Sequence, residues 1–215
     1  MNFELETLNN RIANLLSYVL HPLLMPTYLF AVLYFLAPTS VGADTLNIQF
    51  KLFALTIIFV YTFVFPAISI YWFYKRGLIE SMKMENLSDR RFPFFLTACI
   101  YFILGYFLYS KNIFLYPSAY IIWAIALVIL LVAIISLRWQ ISAHAAGIGG
   151  VIGIMAITLL RLGEDALYTP LIGTIILAGY LLSARLQLNA HTPAQVGAGV
   201  FLGFVVSVIS MQLAL

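Results

Sequence analysis

Charge is what this sequence has least of. Only 9% of its 215 residues are Asp, Glu, Lys or Arg, against 63% hydrophobic, and the mean hydropathy is +1.02. A soluble domain carries roughly 25% charged residues, so a soluble globular fold is excluded. Cysteine is nearly absent too. The single thiol, Cys99, excludes an internal disulfide and, inside an apolar run, reads as a small packed residue. Strict alternation of apolar and polar residues is missing, which excludes an outer-membrane barrel. The opening residues, MNFELETLNN, carry acids and no basic stretch, so no cleaved signal peptide is expected. The net charge of +3 is small and scattered, so nucleic acid is not an expected partner. No polar linker, low-complexity tract or internal repeat divides the chain. One integral membrane domain over residues 1–215 is expected.

Long apolar runs are what the sequence does have. They cover residues 12–37, 52–74, 92–109, 119–137, 145–160, 168–182 and 196–215. A helix crossing the hydrocarbon core needs about 20 residues, range roughly 17–25. The expected fold is therefore all-α: a polytopic helical membrane protein with about seven spans, six being the alternative. The runs at 145 and 168 are short for a span and are expected to reach the interface through their polar tips. Pro22 and Pro26 in HPLLMPTY predict an interfacial amphipathic helix over residues 1–22, or a kinked first turn, ahead of a span starting near Leu23. His21 has no partner motif there and reads as structural. GIGGVIG (147–153) and GAGVFLG (197–203) place small residues at helical spacing, where two helices can approach backbone to backbone.

Three polar islands interrupt the runs. In KMENLSDRRFP, Lys83 and Arg90 lie seven apart; this is either a basic loop obeying the positive-inside rule or a cationic clamp for phosphate. In ISAHAAG, Ser142 suits a helix N-cap and His144 follows at the head of a span. A helix N-terminus with small neighbours can hold an anion, and a histidine beside it can give a proton to a leaving oxygen. In SARLQLNAHTPAQ, Arg185 and His191 precede a capping-box pattern: Thr192 at N-cap, Pro193 at N1 and Gln195 at N3. An arginine at a membrane boundary is costly and points to a role beyond decoration.

Parity ties the islands together. Two spans separate the first from the second, and two more separate the second from the third. An even number of crossings returns the chain to the same face. Lys83, Arg90, His144, Arg185 and His191 are thus expected on one surface, with the turns around Lys111 and GEDA (163–166) on the other.

This pattern resembles the type-2 phosphatidic acid phosphatase superfamily, which shares its active site with vanadium haloperoxidases. Its motifs read K-x6-R-P, P-S-G-H and S-R-x5-H-x3-D. Here Lys83-x6-Arg90 has the first spacing, with Pro93 two residues late. Ile141-Ser142-Ala143-His144 is similar to the second, and Arg185-x5-His191 to the third, with Ser183 displaced by one. The resemblance covers residues 83–199. It implies a phosphatidic acid phosphatase-like bundle in which Lys83, Arg90 and Arg185, helped by Ser142, bind phosphate oxygens. His191 would attack phosphorus, and His144 would protonate the leaving group and then help to activate water. No metal or other cofactor is implied. The implied activity is a membrane lipid phosphatase whose substrate is a phospholipid, polyprenyl or lipid A phosphate or pyrophosphate. Bilayer lipids and further copies of the chain are the expected partners, and a bacterial inner membrane the expected location.

Gln195 departs from the pattern, standing where the family has aspartate. Its carbonyl can accept the same hydrogen bond from the histidine but supplies no negative charge. A slower nucleophile, an acid recruited from Glu85 or Asp89, or a site that binds without turnover would each follow. Two alternatives stay open: a non-catalytic lipid-phosphate binder or carrier, and a metal site from His144, His191 and Asp89. Two signals about orientation conflict. Arg11, Lys75, Arg76, Lys83, Arg90, Arg91, Arg138 and Arg185 share the motif face, against Lys51, Lys111 and Arg161 opposite, which places that face in the cytoplasm. The resemblance implies a site facing outward.

Overall fold

The computed structural model describes residues 2–82, 84, 86–110 and 116–214, with side chains from residue 8 onward. Lys83, Glu85 and Lys111 lie outside the described residues. In chain order the helices are α1 (Asn2–Val19), α2 (Met25–Leu36), α3 (Ile48–Phe59), α4 (Phe65–Lys75), α5 (Leu87–Ser110), α6 (Tyr116–Ile135), α7 (Ala143–Leu162), α8 (Tyr168–Gln187) and α9 (Pro193–Ala214). Six stretches are long and apolar enough to cross a membrane: Ile48–Lys75, α5, α6, α7, Asp165–Gln187 and α9. The chain is a polytopic helical membrane protein.

The first apolar run divides at His21-Pro22. Ahead of the break, α1 buries Ala13 and Ser17, with Leu20 buried just beyond its end, and packs mainly along α8. Leu8, Ile12, Leu15 and Val19, spaced by three and four residues, stay exposed on one side, as expected of a helix lying at an interface. Beyond the break, α2 is only 12 residues long and is followed by a 3-10 turn at Pro38–Val41. Contacts still place its two ends at opposite ends of the bundle. His21 lies edge-on to His144 at the head of α7, while the Thr39 hydroxyl donates to the Glu164 carboxylate beyond the tail of α7. The expectation of seven crossings thus becomes six full-length spans and one short traverse.

The runs at 145 and 168 gave lengths that were too short. Helix α7 begins at Ala143 and continues through Arg161, and α8 continues through Ser183 and Arg185. Polar tips are helical at the bundle ends because backbone groups there still need internal partners. Cys99 is exposed rather than packed, on the outer surface of α5.

Two local devices shape the bundle. Between α3 and α4, Val60–Val64 is π-helical, and Pro66 has no amide hydrogen to return to the Thr62 carbonyl four residues earlier. The buried Tyr101 hydroxyl of α5 donates to that oxygen at 2.9 Å. The second device is the glycine contact between α7 and α9. A Cβ on Gly199 would stand 2.7 Å from the Ser142 carbonyl oxygen, and one on Gly153 would stand 2.7 Å from that of Phe204. A Cβ on Gly203 would overlap the Ala146 carbonyl oxygen and reach 2.8 Å from the Gly150 nitrogen. The two helices therefore touch backbone to backbone. This brings their N-termini side by side, with the Ser142 amide donating to the Gln195 carbonyl at 3.2 Å.

Candidate functional site

Three helices, α5, α7 and α9, start at the same end of the bundle, and α8 finishes there. Each helix start presents unpaired amides and the positive end of its dipole, so this end favours an anion before any side chain is counted.

Asp89 and Arg90 lie in the first turn of α5 and are both buried. The Asp89 carboxylate accepts from the Glu80 and Ser81 amides at 3.1 and 3.2 Å, folding the preceding loop back on the helix. It is thus committed to backbone and does not serve as a recruited acid for His191. Arg90 donates Nε–H to the Met84 carbonyl at 2.8 Å and Nη1–H to the Ile141 carbonyl at 3.0 Å. Those bonds fix the guanidinium against the segment that leads into α7, close enough to Arg185 for the two charges to repel.

Ser142 caps α7, its fully buried hydroxyl accepting from the Ala145 amide at 3.4 Å. His144 donates Nε2–H to the Ser17 carbonyl at 3.1 Å, since a carbonyl can only accept. Arg185, in the last turn of α8, donates Nη1–H to the Ser17 hydroxyl at 3.2 Å. Its buried Nε has no partner among the described residues.

His191 sits just before α9 and is 8% exposed. Its Nδ1–H points to the Gln140 carbonyl at 3.1 Å and to Gln195 Oε1 at 3.3 Å. Gln195 Oε1 also accepts from the Thr192 amide at 3.1 Å, and the Gln195 amide faces Thr192 Oγ1 at 3.4 Å. The capping box and the histidine contact therefore use one side chain. They fix the tautomer of His191 and leave Nε2 with its lone pair. Burial, then the charges of Arg90 and Arg185, pushes the His191 pKa down to about 4, so the ring is neutral near pH 7. A cleft of about 500 Å³ opens beside His191 and Gln195.

The structure thus brings Arg90, Ser142, His144, Arg185, His191 and Gln195 to one end of the bundle, as parity predicted. Ion pairing is missing: among the described residues no carboxylate pairs with Arg90 or Arg185. Nor, among the described residues, do three histidine, cysteine or acidic side chains stand close enough to hold a metal ion, and Asp89 is held by the Glu80 and Ser81 amides.

His21 is the residue that sequence reasoning missed. Its ring meets that of His144 edge-on, with centroids 5.6 Å apart. Its Nδ1 accepts from the Leu23 amide at 3.3 Å, so Nε2 carries the hydrogen. Burial and then Arg185 push its pKa down to about 4. The available signal lay in α1 rather than in His21 itself. Ala13 and Ser17, four apart and small, mark a helix face able to approach α8 closely.

No family model, curated protein or solved structure matches the chain.

Proposed function

We propose that the protein is a membrane lipid phosphatase of the type-2 phosphatidic acid phosphatase kind, hydrolysing a lipid phosphate or pyrophosphate through a phosphohistidine. The observation that carries this reading is the gathering of two guanidinium groups near a neutral, oriented imidazole, with no carboxylate among the described residues paired to them. Such a cluster lacks an anion, and fixed cations that need no reorganisation are what phosphoryl transfer requires. Arg90 and Arg185 hold the phosphate oxygens. His191 Nε2 bonds to phosphorus as the bond to the leaving oxygen breaks, and that oxygen takes the extra proton of His144, which is imidazolium beside the bound anion and neutral after the transfer. Water then attacks phosphorus while His144 accepts its proton, and the P–N bond returns its electron pair to His191. Ser142 acts by capping α7 and so aiming its amides. The substrate's tails remain in the bilayer, against the apolar outer surface of the bundle.

The test is phosphate release by the purified protein from a panel of phosphatidate, phosphatidylglycerophosphate, polyprenyl phosphates and lipid A. Release from none of them would remove the catalytic reading. Gln195 favours a second reading, a lipid-phosphate binder without turnover, and Gln195→Asp separates the two. If the wild type is an enzyme, the added charge is expected to raise kcat about tenfold, worth about 1.4 kcal/mol at the barrier. Activity that appears only in the variant would instead mark a binder.

We place the site at the outer face of a bacterial inner membrane, the side the resemblance implies. Ser88 is exposed beside it. In a Cys99→Ser background, Ser88→Cys is expected to react with a membrane-impermeant thiol reagent from outside the cell. Reaction only after the membrane is opened would reverse the orientation.

A further inference from the structure

The proposed reaction on a monoester needs one nucleophile, one proton donor and cations for one phosphoryl group. The site holds more than that. Its groups fall into two sets that share Arg185. On one side, His191 stands within electrostatic reach of Arg90 and then Arg185. On the other, His144 stands within reach of Arg185 and then His21, with His191 a weaker neighbour. His21 in turn senses Arg185.

The second set is already arranged around oxygen. His144 Nε2–H and Arg185 Nη1–H both converge on Ser17, one on its carbonyl and the other on its hydroxyl. His21 adds a third donor next to them, because Nδ1 is taken by the Leu23 amide and Nε2 must carry the hydrogen. The position of His21 is built. Pro22 follows it and lies beside Gly147 of α7, and the Leu24 amide returns to the His21 carbonyl at 2.8 Å. The Arg185 Nε–H, buried without a partner among the described residues, is a further donor awaiting an acceptor.

We propose that His21, His144 and Arg185 form a second phosphoryl subsite, which makes a lipid diphosphate the preferred substrate. This rests on the phosphatase reading above and specifies its substrate. The terminal phosphoryl group lies between Arg90, Arg185 and His191 Nε2. The inner phosphoryl group, still attached to the lipid, replaces the Ser17 oxygens on His144 and Arg185 and takes a third hydrogen bond from His21. As His191 Nε2 bonds to the terminal phosphorus, the bond from that phosphorus to the bridging oxygen breaks. The electron pair stays on the bridging oxygen, His144 protonates it, and a lipid monophosphate leaves. An alcohol leaving group would offer His21 no oxyanion to bind, so His21 discriminates between substrates.

The experiment compares farnesyl diphosphate with farnesyl monophosphate, which share one tail. Wild type is expected to favour the diphosphate in kcat/KM, and His21→Ala to reduce that preference at least tenfold. His21→Gln, which keeps an N–H donor, is expected to restore part of it. Equal losses on both substrates in both variants would make His21 structural and overturn the proposal. Binding supplies a readout that does not require turnover. Inorganic pyrophosphate is expected to bind wild type at least tenfold more tightly than inorganic phosphate, and His21→Ala to erase that difference. Binding of pyrophosphate without hydrolysis of either substrate would defeat the phosphatase reading but not the second subsite. Equal affinity for the two anions in wild type would defeat the subsite.

Discussion

Replacing His191 with alanine is expected to bring phosphate release down to the background of protein-free vesicles, a loss on the order of 10³-fold or more. The size follows from its place in the site. His191 is the imidazole whose Nδ1 is held by both a backbone carbonyl and Gln195, so its Nε2 is both oriented and free. Arg90 keeps its bonds to Met84 and Ile141, and Arg185 its bond to Ser17, when the ring is removed. Anion affinity should therefore survive far better than turnover, so the loss falls on kcat and not on KM. A variant that releases phosphate at a wild-type rate would remove the phosphohistidine. The wild-type pH profile carries a related signature. The nucleophile must be neutral, and its pKa of about 4 means that kcat/KM is retained as pH falls through 6 and 5 and is lost near 4. Stability moves with the same sign. Between about pH 6.5 and 4 the unfolded chain takes up protons at His21 and His191 that the folded protein refuses, so the folded state weakens as pH falls through that window.

Gly203→Ala is expected to cost the fold about 3 kcal/mol or more, although it adds only a methyl group. The new Cβ would overlap the Ala146 carbonyl and press on the Gly150 nitrogen, and neither is a side-chain tip that can rotate away. Helix α9 must then move off α7. That movement also breaks the bond from the Ser142 amide to the Gln195 carbonyl, so the site is lost with the packing. Gly197→Ala is the control: it lies in the same GAGVFLG run, yet a Cβ there meets nothing within 4 Å. Thermal unfolding in detergent should show a large drop for Gly203→Ala and none for Gly197→Ala. Similar curves for the two would mean that α7 and α9 are not locked by their glycines.

That pair of glycines shows how far the sequence could be read. Helical spacing identified the run, but only the contact with Ala146 tells Gly203 from Gly197. Hydropathy and parity were enough to bring Arg90, His144, Arg185 and His191 to one face, because crossing a bilayer leaves the chain two sides to choose from. The capping-box pattern was enough for Gln195, since its partners are local. His21 was not legible. Its partner lies 123 positions away, and the two meet only because the chain breaks at Pro22 and α1 folds back along α8. Asp89 was misread for the opposite reason, because a near neighbour in sequence, the loop at Glu80 and Ser81, claims its carboxylate first. The lengths of α7 and α8 were underestimated because hydropathy stops at a polar residue, whereas a hydrogen-bonded helix does not.

The shortness of α2 has a consequence for how this passage crosses. Twelve residues rise about 18 Å, well under the roughly 30 Å of a bilayer's oily interior. The rest of the passage is turn, at His21–Leu24 and at Pro38–Val41, and protein shields most of it: Ser40 and Val41 are buried, and His21 to Leu24 are half-buried. The traverse thus leans on its neighbours, for without the longer helices around it that turn backbone would meet acyl chains.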